Sequence, residues 1–170
     1  MKAKHLAIGL LSLVLVLALA VPSRMAAANK LVFKASLTTG AELHEVVDSS
    51  ARGSAVFTSA QNGSFNFILF AHGLSGPATG AHLHGPADAS QTAPVYISLC
   101  GSPTPAVSTT CTVDADGNLY VTGNIGSSAL MAWGISGAQF MSDIQNGLLY
   151  VNVHTELNPA GEIRGQVLPQ

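Results

Sequence analysis

Apolar and polar residues alternate with a period of two in short stretches along most of the chain. Eight stretches of β-type composition stand out: Lys30–Leu37, Gly53–Ser59, Ser64–Ala71, Gly80–His84, Pro94–Leu99, Asn118–Gly123, Leu148–Thr155 and Glu162–Leu168. Turn residues separate them, among them Asn62-Gly63, Gly76-Pro77, Asp116-Gly117 and Pro159-Ala160-Gly161. Asn62-Gly63 between Ala55-Val56-Phe57-Thr58 and Phe65-Asn66-Phe67-Ile68 predicts a hairpin, because both positions of the tight turn favour positive φ. Only Ala138, Met141 and Ile144, with Phe140 beside them, follow helical spacing, and they precede Asn146-Gly147. A short helix over Gly137–Gln145 with a glycine stop follows from that spacing. The predicted fold is all-β, an antiparallel Greek-key β-sandwich of about eight strands with one short helix plugging one end.

The N-terminus departs from this pattern. A basic start at Lys2 and Lys4 and an apolar run from Leu6 to Val21 resemble a secretory signal peptide, and the run is short for a membrane span. Of the two small-residue patterns that follow, Ala26-Ala27-Ala28 directly precedes the first strand, so cleavage after Ala28 is expected; an uncleaved anchor is the alternative. Residues 1–28 are then the signal and 29–170 one domain, secreted or periplasmic, with no stable membrane span after cleavage. That domain keeps four Lys and Arg residues against nine Asp and Glu, a net charge of −5. Such a surface repels phosphate and argues against nucleic acid or an anionic membrane as partner. Cys100 and Cys111 flank a Ser/Thr/Pro-rich stretch and read as one disulfide in an oxidising compartment. Asn62-Gly63-Ser64 is formally a glycosylation sequon.

Five histidines lie beyond the signal: His44, His72, His82, His84 and His154. His82 and His84 form an H-x-H pair, which on a strand puts both imidazoles on one face about 7 Å apart along the backbone. In Tyr150-Val151-Asn152-Val153-His154-Thr155, His154 shares a face with Tyr150 and Asn152. If the two strands lie near each other, three neutral imidazoles with an open position suit copper or zinc, and no free thiolate competes once Cys100 and Cys111 are bridged. The alternative is that these histidines are structural and hydrogen-bond the Gly85-Pro86 and Asn158-Pro159 turns.

His72 ends an apolar strand and His44 sits in a loop; both read more readily as solvent-facing. Glu156, two residues past His154, is a further ligand candidate or a carboxylate that orients an imidazole. Arg164 is read as clamping Glu156 or Glu162, or as guiding an anion to a metal. Thus His72, Glu156 and Arg164 form a second tier behind His82, His84 and His154. No catalytic residues emerge: there is no G-x-S-x-G elbow, recognisable triad or phosphate-binding loop.

Two long blocks carry a family resemblance. Gly73-Leu74-Ser75-Gly76-Pro77-Ala78-Thr79-Gly80-Ala81-His82-Leu83-His84-Gly85-Pro86-Ala87 and the block from Leu149 through His154, Pro159-Ala160-Gly161-Glu162 and Arg164 to Val167 resemble the signatures of the CHRD (chordin-type) domain. The resemblance spans roughly residues 31–168. In the first loop the family usually has an acidic residue followed by Val-Pro-Pro-Val, where this chain reads Glu42-Leu43-His44-Glu45-Val46-Val47. The resemblance implies an extracellular module. The order Gly-Leu, His-x-His and, much later, Val-x-Val-His is also similar to the copper ligands of copper-zinc superoxide dismutases, and by that similarity His82, His84 and His154 take three copper positions. A bridging histidine and a zinc loop have no counterpart, since residues 85–98 contain no histidine. Three functions follow as expectations: copper binding, storage or one-electron chemistry; a non-catalytic module for an extracellular or periplasmic protein partner; and a copper-only dismutase.

Overall fold

The computed structural model describes residues 30–60, 62–108 and 110–170. The expected signal peptide and its cleavage site lie outside the described residues. Ten strands are present: β1 (Val32–Thr38), β2 (Arg52–Ser59), β3 (Phe65–His72), β4 (Ala78–His84), β5 (Val95–Gly101), β6 (Ala106–Ser108), β7 (Leu119–Ile125), β8 (Tyr150–Thr155), β9 (Ile163–Gln166) and β10 (Leu168–Pro169). Two helices, α1 (Ser127–Ala132) and α2 (Gly137–Gln145), lie between β7 and β8. No described helix is long and apolar enough to cross a membrane.

All eight expected strands are found with ends shifted by a few residues, the last of them as β9. The expected helix is α2; its Ser136 side chain caps the Gln139 N–H, and Gly147 follows its end with φ +65. Three elements go beyond the sequence pattern. Strands β6 and β10 are three and two residues long, too short for alternation to register, and α1 buries only Leu130.

The strands form one sheet in the order β6-β5-β4-β8-β9-β1-β2-β3-β7, with β10 beside β1; every pairing is antiparallel except β5 with β6. The two ends of that order, β6 and β7, approach each other, so the sheet nearly closes around the core. Strand β3 shows how alternation builds this core: Phe65, Phe67, Leu69 and Ala71 point inward, and Asn66, Ile68, Phe70 and His72 face out. Phe65 lies 5.2 Å edge-on from Phe140, by which α2 seals one end. Burying each such ring contributes about 2 kcal/mol.

Strands β4, β5 and β8 break the in-out pattern, since they are buried on both faces. Three loops cover the outer face of β4-β8-β9. The loop between β1 and β2 is held by Val47 N–H and Asn158 Oδ1 (2.8 Å) and by Ser49 Oγ–H and Glu162 Oε1 (2.6 Å). The β4–β5 loop is held through the carbonyls of Ala87, Asp88 and Gln91, which accept from Gln166 and Arg164. The stretch after β5 is tied down by the disulfide Cys100–Cys111, whose Cα atoms are 5.1 Å apart. This closes the loop predicted from the cysteine spacing. Polar side chains on this outer face therefore lie in a protein-lined layer, and the histidines are among them.

Candidate metal centre

The inward side chains of β4 are Ala81 and Leu83, which fixes His82 and His84 on the outer face. Strand β8 runs antiparallel beside it with Gly80 opposite His154, His82 opposite Asn152 and His84 opposite Tyr150. Val151 and Val153 are fully buried in the core, so His154 is directed to the same side as the other two imidazoles. Gly80 leaves space for this cluster. A Cβ there would lie 2.5 Å from the Ser102 carbonyl and 2.8 Å from His82 Nε2.

The three rings meet with centroids 4.7 Å (His82–His154), 5.5 Å (His82–His84) and 5.9 Å (His84–His154) apart. One nitrogen of each ring is held by a backbone carbonyl: His82 Nε2–H donates to Ser102 (2.6 Å), His84 Nδ1–H to Ala93 (2.9 Å) and His154 Nδ1–H to Pro159 (3.0 Å). A carbonyl only accepts, so these bonds fix each tautomer and leave a lone pair on His82 Nδ1, His84 Nε2 and His154 Nε2. All three of those atoms are buried and have no hydrogen-bond partner. One ligand atom from each ring falls within 4.8 Å of the others. Nitrogens bound at about 2.1 Å to one tetrahedral ion are about 3.4 Å apart, so small ring rotations close the set on a metal ion.

Electrostatics keeps the lone pairs free. Burial, reinforced by the charge of His154, lowers the pKa of His82 to about 4. Burial likewise lowers His154 to about 4, against the opposing hydrogen bond to Pro159, and lowers His84 as well. At neutral pH all three are uncharged, the form that binds metal.

Tyr150 and Arg164 brace this cluster. The Tyr150 ring stacks on His84 at 5.0 Å with 7° between planes, and the Arg164 guanidinium lies 3.5 Å from the centroid of the Tyr150 ring. Arg164 donates to the carbonyls of Asp88 (3.2 Å) and Gln91 (2.7 Å). Tyr150 Oη accepts from Ala93 N–H at 3.1 Å, beside the carbonyl that orients His84. Arg164 does not make the clamp on Glu156 or Glu162 that the sequence suggested. Among the described residues no carboxylate lies within ion-pair distance of Arg164. Glu162 is already saturated by Ser49, by Ser75 through both N–H and Oγ–H, and by Thr155.

The second-tier candidates lie elsewhere. His72 is exposed on β3 opposite Arg52, and Glu156 is exposed in the turn after β8. Neither joins the three imidazoles. A residue that sequence did not single out is buried beside Asn152, the cross-strand neighbour of His82. The Glu42 side chain is 2% exposed, its Oε1 lacks a partner, and its Oε2 lies 3.7 Å from His44 Nδ1. Asn152, between His82 on β4 and Arg164 on β9, has an equally unpartnered Oδ1. A Cβ at Gly161 would fall 2.5 Å from the Asn152 amide nitrogen and 2.8 Å from Glu42 Oε1, so both side chains crowd the same glycine.

The model of the CHRD domain matches residues 33–167. The chain belongs to the CHRD family. No curated protein and no solved structure matches it significantly. In this CHRD domain β4 supplies His82 and His84, β8 supplies His154 and β9 supplies Arg164, and the β4–β8 pairing joins the histidine-bearing segments.

Proposed function

We propose that this CHRD domain binds one copper ion through His82 Nδ1, His84 Nε2 and His154 Nε2, outside the cytoplasm, for binding, storage or one-electron chemistry. The observation that carries the reading is the set of three buried lone pairs without partners, each on a ring already anchored through its other nitrogen. Left unpaired, each such acceptor costs about 1–3 kcal/mol, and one cation satisfies all three. Backbone carbonyls on the distal nitrogens are what metal-binding imidazoles ordinarily have behind them. Neutral nitrogen donors and the absence of free thiol favour copper, which binds such sites most strongly among the divalent first-row metals. The disulfide and the family suit an extracellular or periplasmic setting.

Copper titration followed by calorimetry tests the reading, with His82→Ala and His154→Ala alongside. The expected result is one equivalent bound by the wild type and at least a hundredfold weaker binding by each variant. Equal affinity in all three proteins overturns it.

A second reading, the non-catalytic interaction module, is supported by a separate surface. Ile68, Phe70 and Tyr120 on β3 and β7 are 49%, 37% and 49% exposed, and Phe70 is directly opposite Tyr120. A dismutase would need a cation free to attract its anionic substrate, whereas Arg164 is 2% exposed and engaged with two carbonyls and the Tyr150 ring.

A further inference from the structure

Three neutral imidazoles bring no negative charge to a metal ion, and the nearby Arg164 is a buried positive charge. A cation held there needs a counter-charge, since an uncompensated buried charge is costly. The buried carboxylates can be compared one by one. Glu162 accepts from Ser49, Ser75 and Thr155, and Asp143 from Tyr96 and Gln139. Asp88 is exposed and bound to Ser90, and Glu45, Asp48 and Glu156 are exposed. Among the described residues Glu42 alone has a buried carboxylate oxygen with no partner. It lies against Asn152, which is the direct cross-strand neighbour of His82.

We propose that Glu42 is the counter-charge of the trihistidine centre: it keeps its proton while the centre is empty and releases it when a cation is taken up, so that about one proton leaves per metal ion. This rests on the metal reading above. Glu42 Oε1 and Asn152 Oδ1 both crowd Gly161 and neither has a hydrogen-bond partner, so the carboxylate oxygen is buried without a donor to stabilise a negative charge on it. Burial raises the Glu42 pKa to about 7, against the opposing influence of His44, Arg164 and the Asn152 amide. The charged and titratable groups facing it are His44 on its own loop, Arg164 on β9 and, beyond Asn152, the imidazoles of β4 and β8. On binding, the carboxyl O–H breaks, the electron pair stays on Glu42, and the proton passes to solvent beside His44, whose side chain is 36% exposed.

The test is calorimetric titration with copper(II) at about pH 6 in buffers of different ionisation enthalpy, for wild type and Glu42→Gln, with carboxyl carbon NMR of the metal-free wild type. At that pH His82 and His154 are already neutral and release nothing, and any release from His84 is common to both proteins, so the difference in proton count reports on Glu42. Close to one proton more per copper is expected from the wild type than from the variant, with one glutamate carbon titrating near neutrality in the metal-free protein. The wild type's affinity advantage is expected to grow to about tenfold or more by about pH 8, since each unit by which the cation lowers the Glu42 pKa is a factor of ten. Equal proton counts in both proteins, or ordinary titration of every glutamate, overturns the Glu42 proposal while the metal reading stands. Absence of copper heat in both proteins removes the metal reading and the counter-charge role with it.

Discussion

Acidifying the metal-free domain should destabilise it by an amount that the histidine cluster sets. The folded pKa values of His82 and His154 are about 4, against an ordinary value of 6.5. Between those values the unfolded chain binds more protons than the folded one, so stability falls as pH falls, beginning near 6.5 and ending near 4. From about pH 7 to about pH 5 each imidazole costs about 2 kcal/mol. Glu42 acts in the opposite sense. Its raised pKa of about 7 favours the protonated folded form, so its contribution to stability grows as pH drops from 7 towards 4.5. Between pH 7 and pH 5 that gain is about 2 kcal/mol, leaving a net loss of about 2 kcal/mol, to which His84, lowered by burial like the other two rings, adds. Urea unfolding at the two pH values measures it, and His82→Asn, which removes one titrating ring, should reduce the difference by about 2 kcal/mol. A stability unchanged between the two pH values would refute the claim that these imidazoles are buried and neutral.

Other substitutions probe how the cluster is held. Gly80→Ala drives a Cβ into the Ser102 carbonyl and His82 Nε2; a loss of about 2 kcal/mol in urea unfolding and at least tenfold weaker copper binding are expected. Tyr150→Phe removes the hydroxyl that holds Ala93 N–H, and should cost about 1 kcal/mol and weaken copper binding severalfold through a looser His84. Replacing Cys100 and Cys111 together by Ser opens the loop that carries Ser102, and a loss of about 2–3 kcal/mol in thermal or urea unfolding should follow.

Strand alternation made most of this architecture legible. The H-x-H pair and the face shared by Tyr150, Asn152 and His154 were readable because side-chain direction in a strand depends only on parity. Their convergence was not, because it depends on β4 and β8 being neighbours with Gly80 opposite His154, a pairing between segments some 70 residues apart. Glu42 carried no local signal at all: it lies in a loop whose place is set by Asn158 and Glu162 at the far end of the chain. Arg164 was legible as a clamp but its partners were not, since the carbonyls of Asp88 and Gln91 belong to a loop whose path sequence does not encode locally. The bonds of the distal nitrogens to Ser102 and Ala93 were hidden for the same reason; only the Asn158-Pro159 turn, a few residues from His154, is close enough in sequence to suggest its bond.

The most direct test of the metal centre is a crystal structure of the domain grown with one equivalent of copper, with anomalous scattering measured at the copper edge. A single strong peak about 2.0–2.1 Å from His82 Nδ1, His84 Nε2 and His154 Nε2 is expected. A peak at another group such as His72, or none at the three imidazoles while they keep the same carbonyl hydrogen bonds, would contradict it.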